Sequence, residues 1–233
     1  MPCTLPASLA DAAVCRGSFH AVLGGEASEA VFADFSAALQ KAQAEGQILT
    51  ASLFRYENHL FFYAEGLNRP FTPQGLCPAL DAALLPWPPA LGEAAPRPWA
   101  AMQPYFYHDV PTTAADWQQG RCPQRRRGRI ALLPPDKWCS YMEHHLRIVT
   151  EGLVEGDRWH LICVQEGVLF SYLEEPRTNV NIKHRPGAHS PELDAWIAAD
   201  PESHFARFTP EQKAHPDSGH NFVFLPRIAG TED

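Results

Sequence analysis

The chain is 233 residues long, and its 19 Lys and Arg against 27 Asp and Glu give a formal net charge of −8. That acidity argues against a protein that must neutralise phosphates over a broad face, so no nucleic-acid partner is expected. With 45% hydrophobic and 20% charged residues, the composition suits a globular domain with a sizeable core and excludes wholesale disorder.

No apolar stretch nears the length of a membrane span, and Met1-Pro2-Cys3-Thr4 is not a charged leader before an apolar run. A cytoplasmic protein with no membrane partner is the expectation. Cys3, Cys15, Cys77, Cys122, Cys139 and Cys163 are scattered without a C-x-x-C pair, which spells out neither a zinc site nor a thioredoxin-like motif.

Taken in order, Phe19–Leu23 reads as a strand. A helix is predicted from about Ser28, whose hydroxyl can cap it, to about Glu45, with Gly46 as its stop and Phe32, Phe35 and Leu39 on one stripe. Leu49–Phe54, a turn at Glu57-Asn58 and His59–Glu65 form a hairpin. The segment from Pro86 to Pro98, rich in proline and alanine, reads as an irregular loop, and Met102–Tyr107 as the strand that closes the first half. Residues from about Pro111 to Arg127 are polar and basic and read as a linker, with Arg125, Arg126 and Arg127 a solvated run or, alternatively, an anion site.

The second half starts with a strand at Ile130–Leu133. After Pro134-Pro135-Asp136 a helix carries Trp138, Tyr141, His145 and Ile148 at helical spacing. Trp159–Val164, a turn at Gln165–Gly167 and Val168–Glu174 repeat the hairpin, and Asn221–Leu225 closes this half.

Both hairpins contain Leu-Phe-x-Tyr-x-Glu, at Leu60–Glu65 and at Leu169–Glu174. A duplicated unit sets the architecture. Each copy has the order β-α-β-β-(α)-β, the split βαβ or ferredoxin-like arrangement with helices on one face of an antiparallel sheet. The expected fold class is α+β, with two tandem ferredoxin-like units. They are a structural one at 16–111 and a second at 129–228, joined by a linker at 112–128. Packing sheet on sheet would make them an intrachain α+β barrel pseudo-dimer.

The histidines are unevenly shared. His20, His59 and His108 lie in the first half, and the other eight in the second. Imidazole moves protons near neutrality, so acid/base chemistry is expected in the second unit. Tyr141 and His145 are one helical turn apart on an otherwise apolar face, where the first helix offers Val31, Phe32, Phe35 and Leu39. Neither His144-His145 nor any other pair forms an H-E-x-x-H motif, and no metal is expected. His184 and His189 flank a loop and are expected in solvent. His215–His220 reads as a polar turn or a binding loop.

From Pro135-Asp136 through Tyr141-x-x-x-His145-x-x-Ile148-x-x-Glu151, Val168–Glu174 and His215-Pro216-Asp217-Ser218, the order of short motifs resembles the L-rhamnose mutarotases. The likeness covers roughly residues 129 to 228, and the first half resembles a degenerate copy. It implies dimeric α+β barrel architecture and cofactor-independent acid/base catalysis on a small aldose or deoxy sugar. His145 would be the proton donor and Tyr141 the substrate-binding tyrosine, with Tyr141 or His160 as the donor's complement. His160 stands where the family has a tyrosine, and His204-Phe205 where it has two tryptophans, so these three are the implied substrate contacts. From the same scaffold, the alternatives are an α+β barrel monooxygenase, a haem-binding protein, or a non-catalytic module that binds a small metabolite.

Overall fold

The structure, a computed structural model, describes residues 6–177, 179, 182–213 and 218–231. In chain order the elements are β1 (Val14–Val22), α1 (Glu29–Ala44), β2 (Ile48–Tyr56), β3 (His59–Leu67), α2 (Pro78–Ala82), β4 (Ala100–Ala101), β5 (Gln103–Tyr107) and α3 (Ala114–Gln118). There follow β6 (Arg125–Leu132), α4 (Pro135–Glu151), β7 (Val154–Glu155), β8 (Leu161–Gln165), β9 (Val168–Glu175), β10 (Lys183–His184), α5 (Pro191–Ala198), β11 (Val223–Leu225) and β12 (Arg227–Gly230). The chain forms two compact units. One comprises Met1–Met102, Pro111–Pro123 and Pro226–Asp233, the other Gln103–Val110 and Gln124–Leu225. No described helix is long and apolar enough to cross a membrane.

The expected α+β class holds, and each unit contains the ferredoxin-like strand order. In the first, the antiparallel order β4-β1-β3-β2 is extended by β12 on the outer edge of β2. In the second, β11-β6-β9-β8 is the same order and β5 extends it beside β8. Met102–Tyr107 therefore does not close the first half as expected. The two-residue β4 ends that unit's own set, and Gln103–Tyr107 pairs with Leu161–Val164 in the second sheet. In return, β12, just past the expected last strand, pairs with β2. Alternation of side chains makes a strand but does not name its partner edge.

In the first unit, α1 lays Phe32, Phe35 and Leu39 on the sheet. Phe35 is 1% exposed and stacks on Trp99 at 6.3 Å between centroids. Ser28 stands at the N-cap with extended backbone, but its hydroxyl makes no capping bond. Gly46 stops the helix with φ +70, a conformation that suits glycine.

The other face of β3 carries the repeat motif. Residues two apart on a strand share a face, and the Tyr63 phenol donates to Glu65 Oε1 at 2.7 Å. Arg121 grips the same carboxylate with both terminal nitrogens, at 2.7 and 2.9 Å. Tyr172 and Glu174 repeat the bond in the second unit, at 2.6 Å.

The arginine run expected as a solvated linker is instead the start of β6. Arg125 is exposed, but Arg126 faces Glu174 at 3.6 Å and Arg127 pairs with Glu175 at 3.1 Å. The Arg127 guanidinium lies 3.8 Å from the centre of the Phe224 ring. Carboxylates on the neighbouring β9 turn a sequence of like charges into cross-strand pairs.

Candidate functional site

Helix α4 carries the site. Pro135 at its first position loses no needed N–H, Asp136 sits in the first turn where the dipole favours an anion, and Gly152 closes the helix at φ +69. Tyr141, His145 and Ile148 form its buried face. Trp138, expected on that face, points elsewhere and is 39% exposed.

Tyr141 and His145 are 3% and 5% exposed, with ring centroids 4.2 Å apart. The Nδ1 of His145 lies 2.9 Å from the Tyr141 carbonyl oxygen. A carbonyl only accepts, so Nδ1 carries the proton and Nε2 holds the lone pair. Burial lowers the His145 pKa to about 4, with nearby His144, His204 and His108 acting the same way and the carbonyl bond opposing them. The imidazole is therefore neutral at pH 7. Burial pushes the Tyr141 phenol up to about 12, so it keeps its proton, and the neighbouring Tyr105 phenol is raised as well by burial and by Tyr141.

These groups wall a cavity of about 270 Å³ inside the second unit. Phe106 from β5 stands edge-on to His145 at 4.7 Å, Trp196 from α5 does so at 4.8 Å, and Phe205 meets Tyr141 at 5.2 Å. His160, just before β8, and Ile162 line it too. At one side Asp157 binds Arg177 Nε and the Asn179 backbone N–H. His108 lies over Gly156, where a Cβ would come within 2.0 Å of its Nε2. Burial brings the His108 pKa down to about 4, with Arg177 adding to the fall and Asp157 opposing it.

Of the residues singled out from sequence, Tyr141, His145, His160 and Phe205 border this one cavity. His204 does not. Its Nε2 lies 3.2 Å from Ser140 Oγ, its Nδ1 faces the Asp200 carbonyl at 3.4 Å, and its ring packs on Trp196. The His215–His220 stretch falls partly outside the described residues. Of its described part, His220 Nδ1 lies 3.0 Å from Lys213 Nζ and Ser218 Oγ accepts from the Phe224 N–H.

Sequence reasoning missed Phe106, His108, Arg129, Trp196 and Phe222. The first two were assigned to the other half. Arg129 had a readable signal, since alternation along β6 places it with Ala131 and Leu133, both buried in the core against α4.

No family model matches the chain, and no curated protein matches it. Solved structures that match include a candidate monooxygenase from Lactobacillus acidophilus NCFM, with 7% identity over 94% of this chain and 96% of that one and a TM-score of 0.40. Another is a candidate monooxygenase from Fusobacterium nucleatum subsp. nucleatum, with 10% identity, 95% of both chains and a TM-score of 0.41. A third is an anthrone oxidase-like protein, with 8% identity, 92% of both chains and a TM-score of 0.37.

These findings overturn the kinship with L-rhamnose mutarotases, and with it the reading as a sugar mutarotase or isomerase of carbohydrate metabolism. The structure supplies the physical reason. Leu-Phe-x-Tyr-x-Glu serves the scaffold in both units, as a strand whose tyrosine bonds its own glutamate, and so says nothing about a sugar. At TM-scores below 0.5 no activity carries over from the matched structures either.

Proposed function

We propose that the second unit oxidises a small aromatic compound with molecular oxygen beside His145, without a resident cofactor. The reading takes up the α+β barrel monooxygenase alternative. One observation carries it: a neutral imidazole and a proton-holding phenol adjoin in a cavity walled by Phe106, Trp196 and Phe205. Nδ1 of His145 is committed to a carbonyl, so Nε2 is available only as a proton acceptor. A volume of about 270 Å³ lies just under the usual range for small-molecule sites and suits a compact ring system better than a porphyrin.

The substrate class such a base can serve is an aryl ketone with an activated methylene. Nε2 of His145 takes one C–H proton, and the Tyr141 hydroxyl donates to the enolate oxygen that forms. The carbanion's electron pair makes a C–O bond to O₂, and the imidazolium returns its proton to the distal oxygen. Loss of water breaks the O–O bond and the second C–H bond. Net, CH₂ and O₂ become C=O and H₂O. Four electrons leave carbon and four reduce oxygen, so no further reductant is needed.

The test is oxygen uptake by the EDTA-treated protein with anthrone, a simple ketone of this class. One O₂ should be consumed per quinone formed, with ¹⁸O divided equally between quinone and water. His145→Ala should lower the rate above background by about 10² to 10⁴, the range for loss of a general base. Bound anthrone that reacts no faster than in buffer would overturn the proposal in favour of a binding module.

A further inference from the structure

The cavity holds a cation that the proposed chemistry does not use. Arg129 leaves β6 on the same face as Ala131 and Leu133, which are core positions. Its guanidinium carbon lies 4.3 Å from the centre of the Phe222 ring, and its Nε is buried without a hydrogen-bond partner among the described residues. No described carboxylate lies within ion-pair distance of it, in contrast with Arg121, Arg126, Arg127 and Arg177, each of which faces one.

A guanidinium held among aromatic rings has lost much of its hydration and needs an anion to compensate. The other charges around the cavity do not supply one at contact. Asp157 is bound by Arg177, and the Glu202 carboxylate is bound by the Asn221 amide. Tyr141 and Tyr105 keep their protons, and His145 is neutral. Burial, reinforced by Arg177, lowers the Arg129 pKa to about 10, with Tyr141, Tyr105 and Glu202 opposing the shift. The group is still fully charged at pH 7.

We infer that Arg129 is the anion receptor of this cavity, and that its ligand is an aromatic ring bearing an acidic group already ionised at neutral pH. A carboxylate or an acidic phenolate meets the donor set: the planar guanidinium offers it a forked contact. Phe205 and Phe222, with centroids 4.9 Å apart, and Trp196 provide ring faces and edges for the attached aromatic body. The inference rests on the same cavity being the substrate site, and it adds that a ketone which also carries an acid is held more tightly than one, such as anthrone, that does not.

Benzoate and its neutral isostere benzamide separate charge from shape. Titrated into the full chain at pH 7.5 and followed by calorimetry, benzoate should bind at least tenfold tighter than benzamide. Arg129→Gln should abolish that preference, and Arg129→Lys should keep part of it, since a point charge replaces the fork. Equal binding of the two probes by the native chain, or a preference for benzoate that survives in Arg129→Gln, would overturn the inference. If Arg129→Gln does not fold, the Lys variant decides. A preference for benzoate as large as the native one would show that the fork is not the receptor.

Binding is read without turnover, so the two proposals fail separately. Benzoate held through Arg129 with no oxygen uptake from any aryl ketone removes the oxygenase reading alone. Anthrone, which has no acid, oxidised equally fast by the native chain and by Arg129→Gln, with no benzoate preference in either, removes the receptor alone.

Discussion

Replacing Arg121 by Met should leave a fully buried carboxylate, Glu65, without its cation. Glu65 is 0% exposed and accepts three hydrogen bonds, two from Arg121 and one from Tyr63. Burial alone would raise its pKa, but the charge and hydrogen bonds of Arg121, with help from Arg16 and Tyr63, hold it below the usual carboxylate value. Removing one partner of a buried pair costs roughly 3–5 kcal/mol, because the other charge is left without compensation. At about 2–4 °C per kcal/mol for a chain of this size, Tm should fall by roughly 6–20 °C.

The pH dependence has a definite sign. In the native chain the depressed pKa of Glu65 contributes stability that is complete above the unfolded value, about 4.3, and is lost as pH falls through the folded value. In Arg121→Met the folded pKa rises above the unfolded one, so the variant weakens as pH climbs from about 4 towards 7. Urea unfolding of both proteins should give curves that are furthest apart at pH 7 and converge near pH 4. The double variant Glu65→Gln, Arg121→Met should regain most of the loss. A single variant within about 1 kcal/mol of the native chain at pH 7, or an equal loss at both pH values, would refute the reasoning.

Phe35→Ala should cost about 3–5 kcal/mol in urea unfolding, since the ring is enclosed by Phe62 and Trp99, whereas Trp138→Ser, on an exposed side chain, should stay within about 0.5 kcal/mol. Because His145 titrates near 4 when folded and near 6.5 when unfolded, it withdraws stability as pH drops from about 6.5 to 4 and nothing further below. His145→Gln should flatten that part of the profile by up to about 3 kcal/mol. Gly156→Ala must displace the His108 ring, so the His108 NMR titration should move up from about 4 towards its ordinary value.

The elements with local causes were readable. The stripe Phe32, Phe35 and Leu39 and the turn pairs Glu57-Asn58 and Glu166-Gly167 announce α1 and both hairpins. The face Tyr141, His145 and Ile148 likewise announced the helix wall of the cavity, which Tyr141 and His145 line. What escaped was set by long-range pairing. Phe106 and His108 reach the cavity only because β5 pairs with β8, and a strand's own residues do not encode that choice. Arg126 and Arg127 look solvated until Glu174 and Glu175 are brought alongside, about 48 positions later in the chain. The kinship drawn from short motifs failed because a strand that satisfies its own tyrosine and glutamate repeats that spelling in both halves.

The two strands that leave their own half also bear on how this protein can be taken apart. A fragment ending at Val110 would retain β5 but not β8, and its β2 would have no β12 alongside. Its remainder would lack β5 and carry β12 as a loose tail. Each fragment would present a bare row of backbone donors and acceptors, the feature that recruits strands from neighbouring molecules. Made alone, such pieces should clump. Made together in one cell, they carry the means to repair each other, and a split-reporter or complementation system built at residue 111 would exploit that mutual need.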